Sequence, residues 1–268
     1  MVKKTKKKPA ARKSARAPAP AKAASARKAG AAKARNDQGA KRRGLWSLRR
    51  IWRWGLRGLG AVLLLIVLAV ALFDVVNPPI TPYMFAESRR LGGVDQAWVP
   101  ITEIAPAVMR SVVAAEDANF CNHWGFDMAA IRAAIQAGGK RGASTITQQV
   151  VKNLYLWQGR SWPRKALEAL MTPLQEAIWS KRRILEVYLN VAEFDEGVFG
   201  VDAAAHHYFR VGPDQLTARQ AALLAAVLPN PKGRSAARPT AMMRKRARQI
   251  MDGAATISAD GRAACFED

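Results

Sequence analysis

A mostly α-helical domain, preceded by one membrane-spanning helix and a basic N-terminal tail, is the fold class this sequence predicts. Three observations carry that prediction. The run Gly58 to Phe73, GLGAVLLLIVLAVALF, holds no charged residue. Extended past Asp74 through Val75 and Val76, it approaches the roughly 20 residues a helix needs to cross a bilayer. Beyond residue 98, apolar residues recur at intervals of three and four, alanine is abundant and alternating β-branched runs are scarce, the periodicity of helices with one buried face. The charge is lopsided: of a net +23, residues 1–57 supply 20 Lys or Arg against the single acid Asp37, so the rest of the chain is near balance.

The tail, residues 1–45, is built from Lys, Arg, Ala, Pro and Ser and has no aromatic residue. It offers no apolar surface to offset chain entropy, so disorder is expected there. Taken alone, such a composition binds any polyanion, nucleic acid included. Beside a membrane span, anionic lipid headgroups are its simplest partner.

Residues 46–57 interleave Trp46, Trp52 and Trp54 with Arg49, Arg50, Arg53 and Arg57, the aromatic and cationic flank of a span over 58–76. The positive-inside rule places the N-terminus in the cytoplasm and everything past Asn77 outside. A buried core helix would not usually carry so one-sided a cationic flank. Ala69-Val70-Ala71 fits a small-x-small cleavage site, but the region before the apolar run is long and hydrophobicity continues past the site, which favours an uncleaved signal anchor. Pro78 and Pro79 close the span, Pro82 keeps the exit non-helical, and 77–97 reads as a linker.

With half its residues hydrophobic, the chain can build one ordinary core, here assigned to residues 98–252. The expected helices are 105–118, 127–138, 144–155, 163–179, 181–190, 198–208, 217–228 and 240–252. Thr217 and Gln220 form a capping box, and Leu228-Pro229-Asn230-Pro231 breaks the chain after that helix. Residues 253–268, GAATISADGRAACFED, carry no readable motif and read as a C-terminal extension. Cys121 and Cys265 stand at no metal-ligand spacing and could pair in an oxidising compartment. His123, His206 and His207 form no zinc pattern, and no metal site is assigned.

Three stretches can carry chemistry. In Ala115-Glu116-Asp117-Ala118-Asn119-Phe120-Cys121-Asn122-His123-Trp124-Gly125, two acids follow an apolar run near a helix end. A poorly solvated carboxylate there would have a raised pKa suited to proton transfer; an exposed acid pair over a core of Phe120 and Trp124 is the plainer alternative. In Gly142 to Leu154, Ser144 is a natural N-cap. Spacing by four puts Ser144, Gln148 and Lys152 on one face, opposite Ile146, Val150 and Leu154. That polar stripe beside a helix N-terminus suits an anionic, oxygen-rich ligand, or else is a solvated face. In Arg160 to Glu168, Pro163 starts a helix, and Arg164 and Glu168 are spaced either for a surface salt bridge or for a phosphate-binding group beside a second carboxylate.

The order and identity of these stretches resemble the peptidoglycan glycosyltransferase domain shared by class A penicillin-binding proteins and their monofunctional relatives. The matching segments are AAEDANFCNHWGFD (114–127), GASTITQQVVKNLYL (142–156), RSWPRKALEA (160–169), SKRRILEVYLNVAEF (180–194) and AALLAAVLPNP (221–231). The match of GRSWPRKALEA and YLNVAEFDEGVFGVDAAA points to the monofunctional branch. The chain ends too soon for a transpeptidase domain, and the single Ser-x-x-Lys match, Ser25 to Lys28, falls in the tail. Past about residue 232 the resemblance fades, and Cys121 occupies a variable position to which it attaches no role.

The resemblance implies a lysozyme-like α-helical fold with a small membrane-associated lobe. It implies that Glu116 is the general base that takes the proton from the 4-hydroxyl of the acceptor sugar, with Asp117 in support. The hydroxyl oxygen then attacks the anomeric carbon of the lipid-linked donor with inversion, and undecaprenyl pyrophosphate departs. Glu168 would organise the donor pyrophosphate, directly or through a divalent ion. Lys152, Arg160 and Arg164 would lie near the leaving group, and Ser144 and Gln148 would contact sugar or phosphate. No tightly bound cofactor is implied, and a divalent cation, Mg2+ or Mn2+, accompanying the pyrophosphate stays open.

The implied partners are lipid II, the growing lipid-linked glycan strand and the membrane, with other cell wall synthesis or division proteins left open and nucleic acid disfavoured. The implied place is the bacterial inner membrane, with the catalytic domain in the periplasm. Two other functions compete. A lytic or hydrolytic peptidoglycan enzyme would also use a carboxylate but needs no cationic pyrophosphate site. A membrane-tethered polyanion-binding protein would not depend on Glu116.

Overall fold

The structure is a computed structural model that describes residues 22–138, 142–159 and 161–267. It is mostly helical, as expected. Helix α1, Lys22–Val75, contains the stretch Arg49–Val75, long and apolar enough to cross a membrane. Where disorder was expected up to residue 45, the backbone is helical from Lys22. The expectation rested on the lack of core-forming residues. A helix satisfies its backbone groups internally, however, and no proline interrupts the Ala-, Lys- and Arg-rich chain between Pro20 and Pro78, so most of its residues favour a helix. Residues 1–21 of that tail lie outside the described residues.

The chain divides into two compact units, residues to Leu63 and from Leu64 onward. In the second unit the last turns of α1 are part of the fold. The Trp179 indole donates to the Val70 carbonyl at 2.7 Å, and the Arg183 guanidinium donates to the Phe73 and Val76 carbonyls. Residues 77–97, expected as a linker, contain helix α2, Pro82–Leu91. Thr81 caps it by accepting from the Met84 amide at 3.1 Å, Pro82 takes the first helical position, and Gly92 ends it in the left-handed region. Proline needs no amide partner in a first turn, so Pro82 begins this helix and does not prevent one.

All eight helices expected beyond residue 98 are present. They are α3 (Pro106–Glu116), α4 (Met128–Gln136), α5 (Ile146–Tyr155), α6 (Trp162–Ile178), α7 (Lys181–Val191), α8 (Val201–Phe209), α9 (Ala218–Val227) and α10 (Ala241–Ala259). Two short strands, β1 (Glu193–Asp195) and β2 (Val198–Phe199), pair antiparallel, and Asp95 adds a parallel bridge to β2. The helix expected from 198 therefore starts at Val201, after β2 and Gly200.

The core has a simple logic. Helix α9 is buried on every side from Ala221 to Val227, which marks a central helix. Its alanines let α3 and α10 pack closely around it. Helix α7 is the second hub, buried from Val187 to Val191, with α5 against it and α6 beyond. Asn190, fully buried, is satisfied by accepting from the Val99 amide and donating to the Val99 and Glu186 carbonyls.

The C-terminal segment is no loose extension. Helix α10 runs on to Ala259, a short helix α11 covers Ala264–Glu267, and Cys265 is disulfide-bonded to Cys121. Ile257, Ala263 and Phe266 are buried in the core. The apolar positions there are too few and too close to the terminus to show a period in sequence.

Candidate active site

Glu116 is the last residue of α3. Helix geometry holds its backbone on the core, and the chain turns away at Asp117. Burial pushes the Glu116 carboxyl above its ordinary pKa. The Gln149 amide, donating to Oε2 at 2.9 Å, and the charges of Arg246 and Lys152 oppose that shift, while Asp117 adds to it. This is a carboxylate kept partly dry yet within reach of two cations, a setting for accepting a proton. The plainer alternative of an exposed acid pair does not hold.

Asp117 has a different task from its neighbour. Its carboxylate accepts from the Ile146 amide at 3.0 Å and contacts His123 Nε2 at 2.8 Å. It therefore ties the end of α3 to the first turn of α5, where a negative charge also meets the positive end of the helix. A buried polar chain continues from there. Lys181 donates to the His123 carbonyl and to Glu176, each at 2.8 Å, and the Thr147 hydroxyl donates to the same Glu176 oxygen. Gly125, beside this chain, has φ +80°, and a Cβ there would lie 2.5 Å from Thr172 Cγ2, so only glycine fits.

On α5 the sequence reading shifts by one residue. Thr145, not Ser144, is the N-cap, and with Gln148 it forms a full capping box. Ser144 is exposed one position earlier. Gln148 is buried, its carbonyl oxygen accepting from the Thr145 amide, so its part in the stripe is to hold the helix start. The residue that meets Glu116 is Gln149, which also accepts from the Tyr188 hydroxyl at 3.3 Å. Spacing by four from Ser144 selected Gln148; spacing from the true cap at Thr145 selects Gln149.

Lys152, one turn further, is largely desolvated, which lowers its pKa. Glu168 and Glu116 oppose that shift, and Arg164 and Lys165 reinforce it. Glu168 is buried, with one carboxylate oxygen 3.5 Å from Arg164 Nη1 and the other held by Lys165. The Arg164–Glu168 pair is thus a buried one, not the surface salt bridge its spacing allowed. Arg164 Nε is buried with no acceptor among the described residues, a free donor beside two more cations. Arg160 lies outside the described residues.

Two clefts adjoin this charge array. One, of about 330 Å³, is lined by Gln149, Lys152, Tyr188 and Lys232 among others. The second, of about 840 Å³, is lined by Arg234, Arg238, Lys245 and Arg246 among others. They share Pro229, Asn230 and Lys232, and Glu116 is linked to the first through Gln149 and to the second through Arg246, whose guanidinium also donates to the Ala115 carbonyl. Among the described residues no group of three or more His, Cys, Asp or Glu could hold a metal. Both Glu168 oxygens face cations of the chain itself, Arg164 and Lys165.

A partly buried carboxylate, neighbouring cations and flanking basic clefts are groups that an enzyme acting on anionic, oxygen-rich substrates would use. The chain belongs to the transglycosylase family, whose model matches residues 86–255. It is 60% identical over 221 residues to the biosynthetic peptidoglycan transglycosylase of Jannaschia sp. (strain CCS1), covering 82% of this chain and 89% of that protein. The protein of the same name from Stutzerimonas stutzeri (strain A1501) is 51% identical over 194 residues, 69% of this chain and 80% of that one. That from Rhodospirillum centenum is 48% identical over 214 residues, 78% and 92% of the two chains.

Proposed function

We propose that this chain is a membrane-anchored peptidoglycan glycosyltransferase that polymerises lipid II into glycan strands and releases undecaprenyl pyrophosphate. The observation that carries this reading is the row of alternating charges Arg246, Glu116, Lys152, Glu168 and Arg164 with Lys165, each acting on its neighbour. Glu116 takes the proton from the acceptor hydroxyl as its oxygen attacks the anomeric carbon of the donor. Lys152 and Arg164 neutralise the charge that grows on the departing pyrophosphate, and a preorganised cation in a desolvated cleft does so without reorganisation. No covalent intermediate is needed, because a single displacement inverts the anomeric centre. Asp117 holds the base-bearing helix end against α5, and Glu168 keeps Arg164 and Lys165 in place.

The setting supports a lipid-linked substrate. Trp162, 88% exposed, stands beside Arg164 and Lys165 at the start of α6, an apolar surface suited to lipid. The span Arg49–Val75 keeps the enzyme in the plane that holds both substrates, which raises their effective concentration. Its cationic flank supports a cytoplasmic N-terminus and a catalytic domain on the periplasmic side, with the basic tail against anionic headgroups.

The test is polymerisation of purified lipid II by detergent-solubilised wild type, Glu116→Gln and Glu168→Gln. Strands from wild type and none from either variant support the reading. Untouched lipid II with cleavage of finished sacculi would replace it with a lytic enzyme.

A further inference from the structure

The C-terminal residues 260–267 lie beyond the family match, which stops at 255, yet they grip the loop that follows the catalytic base. Cys265 is bonded to Cys121 in that loop. Arg262 donates to the Ala118 carbonyl at 2.9 Å. Phe266, fully buried, packs on Phe120 with ring centroids 6.5 Å apart. The ends of the grip are fixed to two helices: Arg110 of α3 makes a paired contact with the Glu267 carboxylate at 2.6 and 2.8 Å, and Arg182 of α7 donates to the Phe266 and Glu267 carbonyls.

The gripped loop, 117–123, is the part of the chain whose side chains set Glu116 against α5. Asp117 at its start holds the Ile146 amide, and His123 at its end is packed on Asp117 with the ring edge towards Phe120. Helix α5 carries Gln149 and Lys152, the two groups nearest Glu116 on that side. A shift of the loop therefore moves the base relative to its hydrogen-bond donor and to the leaving-group cation. Among the described residues, none of 260–267 hydrogen-bonds or ion-pairs with Glu116, so their effect on it passes through the loop.

We propose that residues 260–267, closed by the Cys121–Cys265 disulfide, form a positioning strap that fixes the catalytic loop and thereby the placement of Glu116. In this chain a segment outside the shared family domain sets the geometry of the shared catalytic centre. The proposal rests on the glycosyltransferase reading, and its test separates the two.

Full-length protein in detergent is compared as wild type, Cys121→Ser/Cys265→Ser and Glu267→Gln, with wild type also measured after reduction. Steady-state lipid II polymerisation gives kcat and KM, and hydrogen exchange with mass spectrometry gives local opening. The expected result is a kcat lower by about tenfold with KM within about twofold, since misplacing a reacting group slows chemistry without weakening binding. Exchange should rise in 117–123 and in the first turn of α5 as well as in the strap. Unchanged kcat with faster exchange confined to 256–267 would overturn the proposal, leaving the disulfide a mere staple of the terminus. A higher KM at constant kcat would also overturn it. If the cysteine variant does not fold, Glu267→Gln, which keeps the disulfide, decides by the same readouts. If wild type itself does not polymerise lipid II, the functional reading fails, and the exchange pattern alone still upholds or overturns the strap.

Discussion

Glu116 and Lys152 are pushed in opposite directions by the same cause, loss of solvent around a charge. The proposed mechanism needs Glu116 ionised and Lys152 protonated, so polymerisation should follow a bell-shaped pH profile. Its acid limb should lie above the ordinary glutamate value of about 4.3, and its alkaline limb below the ordinary lysine value of about 10.4. Lys152→Arg should move the alkaline limb up, because guanidinium stays charged, and a pH series of kcat on both proteins checks this. Glu116→Gln should lower kcat about 10²–10⁴-fold. It should also stabilise the fold at neutral pH. Native Glu116 holds its proton more tightly than the unfolded chain does, so its contribution falls as pH rises from the ordinary carboxylate range through the raised value. The ionised side chain is thus a cost at neutral pH that glutamine removes. Thermal unfolding at pH 7 and at pH 4 should show a gain that fades at the lower pH; an equal gain at both would mean that lost charge is not the cause. At this scale Glu116, Glu168, Lys152 and Arg164 were legible from residue type and family order. Gln149 and His123 were not, because their roles depend on where α5 is capped and on how the loop after Asp117 folds back.

Most of the helices were legible because they bury one face at helical spacing, and the period survives without knowledge of the partner. What escaped were elements whose cause is not periodic. Helix α2 is a short helix started by Thr81 and Pro82 and held by Glu87 contacts to Arg90 and Lys232, so its sequence looks like a polar linker. The strap at 260–267 is fixed by one covalent bond and a few long-range cations, which spacing cannot reveal. The turn at Gly125 belongs to the same class: its φ of +80° and the nearness of Thr172 on α6 set the path from the catalytic loop to α5. Gly125→Ala combines backbone strain with overpacking against Thr172, and each effect is worth about 1–3 kcal/mol. Denaturant unfolding of that variant should show a loss of about 2–4 kcal/mol, with the Thr145 hydroxyl bond to the Gly125 carbonyl among the contacts weakened. Relief by Thr172→Ser in the double variant would show that the clash is with that methyl group, because the serine keeps the hydroxyl bond to the Glu168 carbonyl and loses only Cγ2.

For the whole molecule, the distribution of charge decides how it works at a membrane. Nearly all the excess positive charge precedes the span, and the domain that follows is left close to neutral, with Lys152, Arg164 and Lys165 around Glu168 and Arg246 lining the larger cleft. A domain with a uniformly basic surface would bind any anionic headgroup face-on; one with a local cationic cleft binds pyrophosphate and leaves the rest of its surface free to turn. The anchor then supplies proximity, and the cleft supplies selection. This division requires one topology. Arg49, Arg50, Arg53 and Arg57 lie before the apolar run, and the only charge between Gly58 and Asn77 is Asp74, an asymmetry that supports the proposed inward N-terminus. Protease added to intact spheroplasts should digest the domain beyond Asn77 and spare an epitope placed before Arg49. Replacing the four arginines with glutamate should weaken that bias, expose the N-terminal epitope in a fraction of molecules and reduce polymerisation in the same proportion. Activity lost without any change in protease accessibility would mean that the arginines serve lipid binding, not orientation.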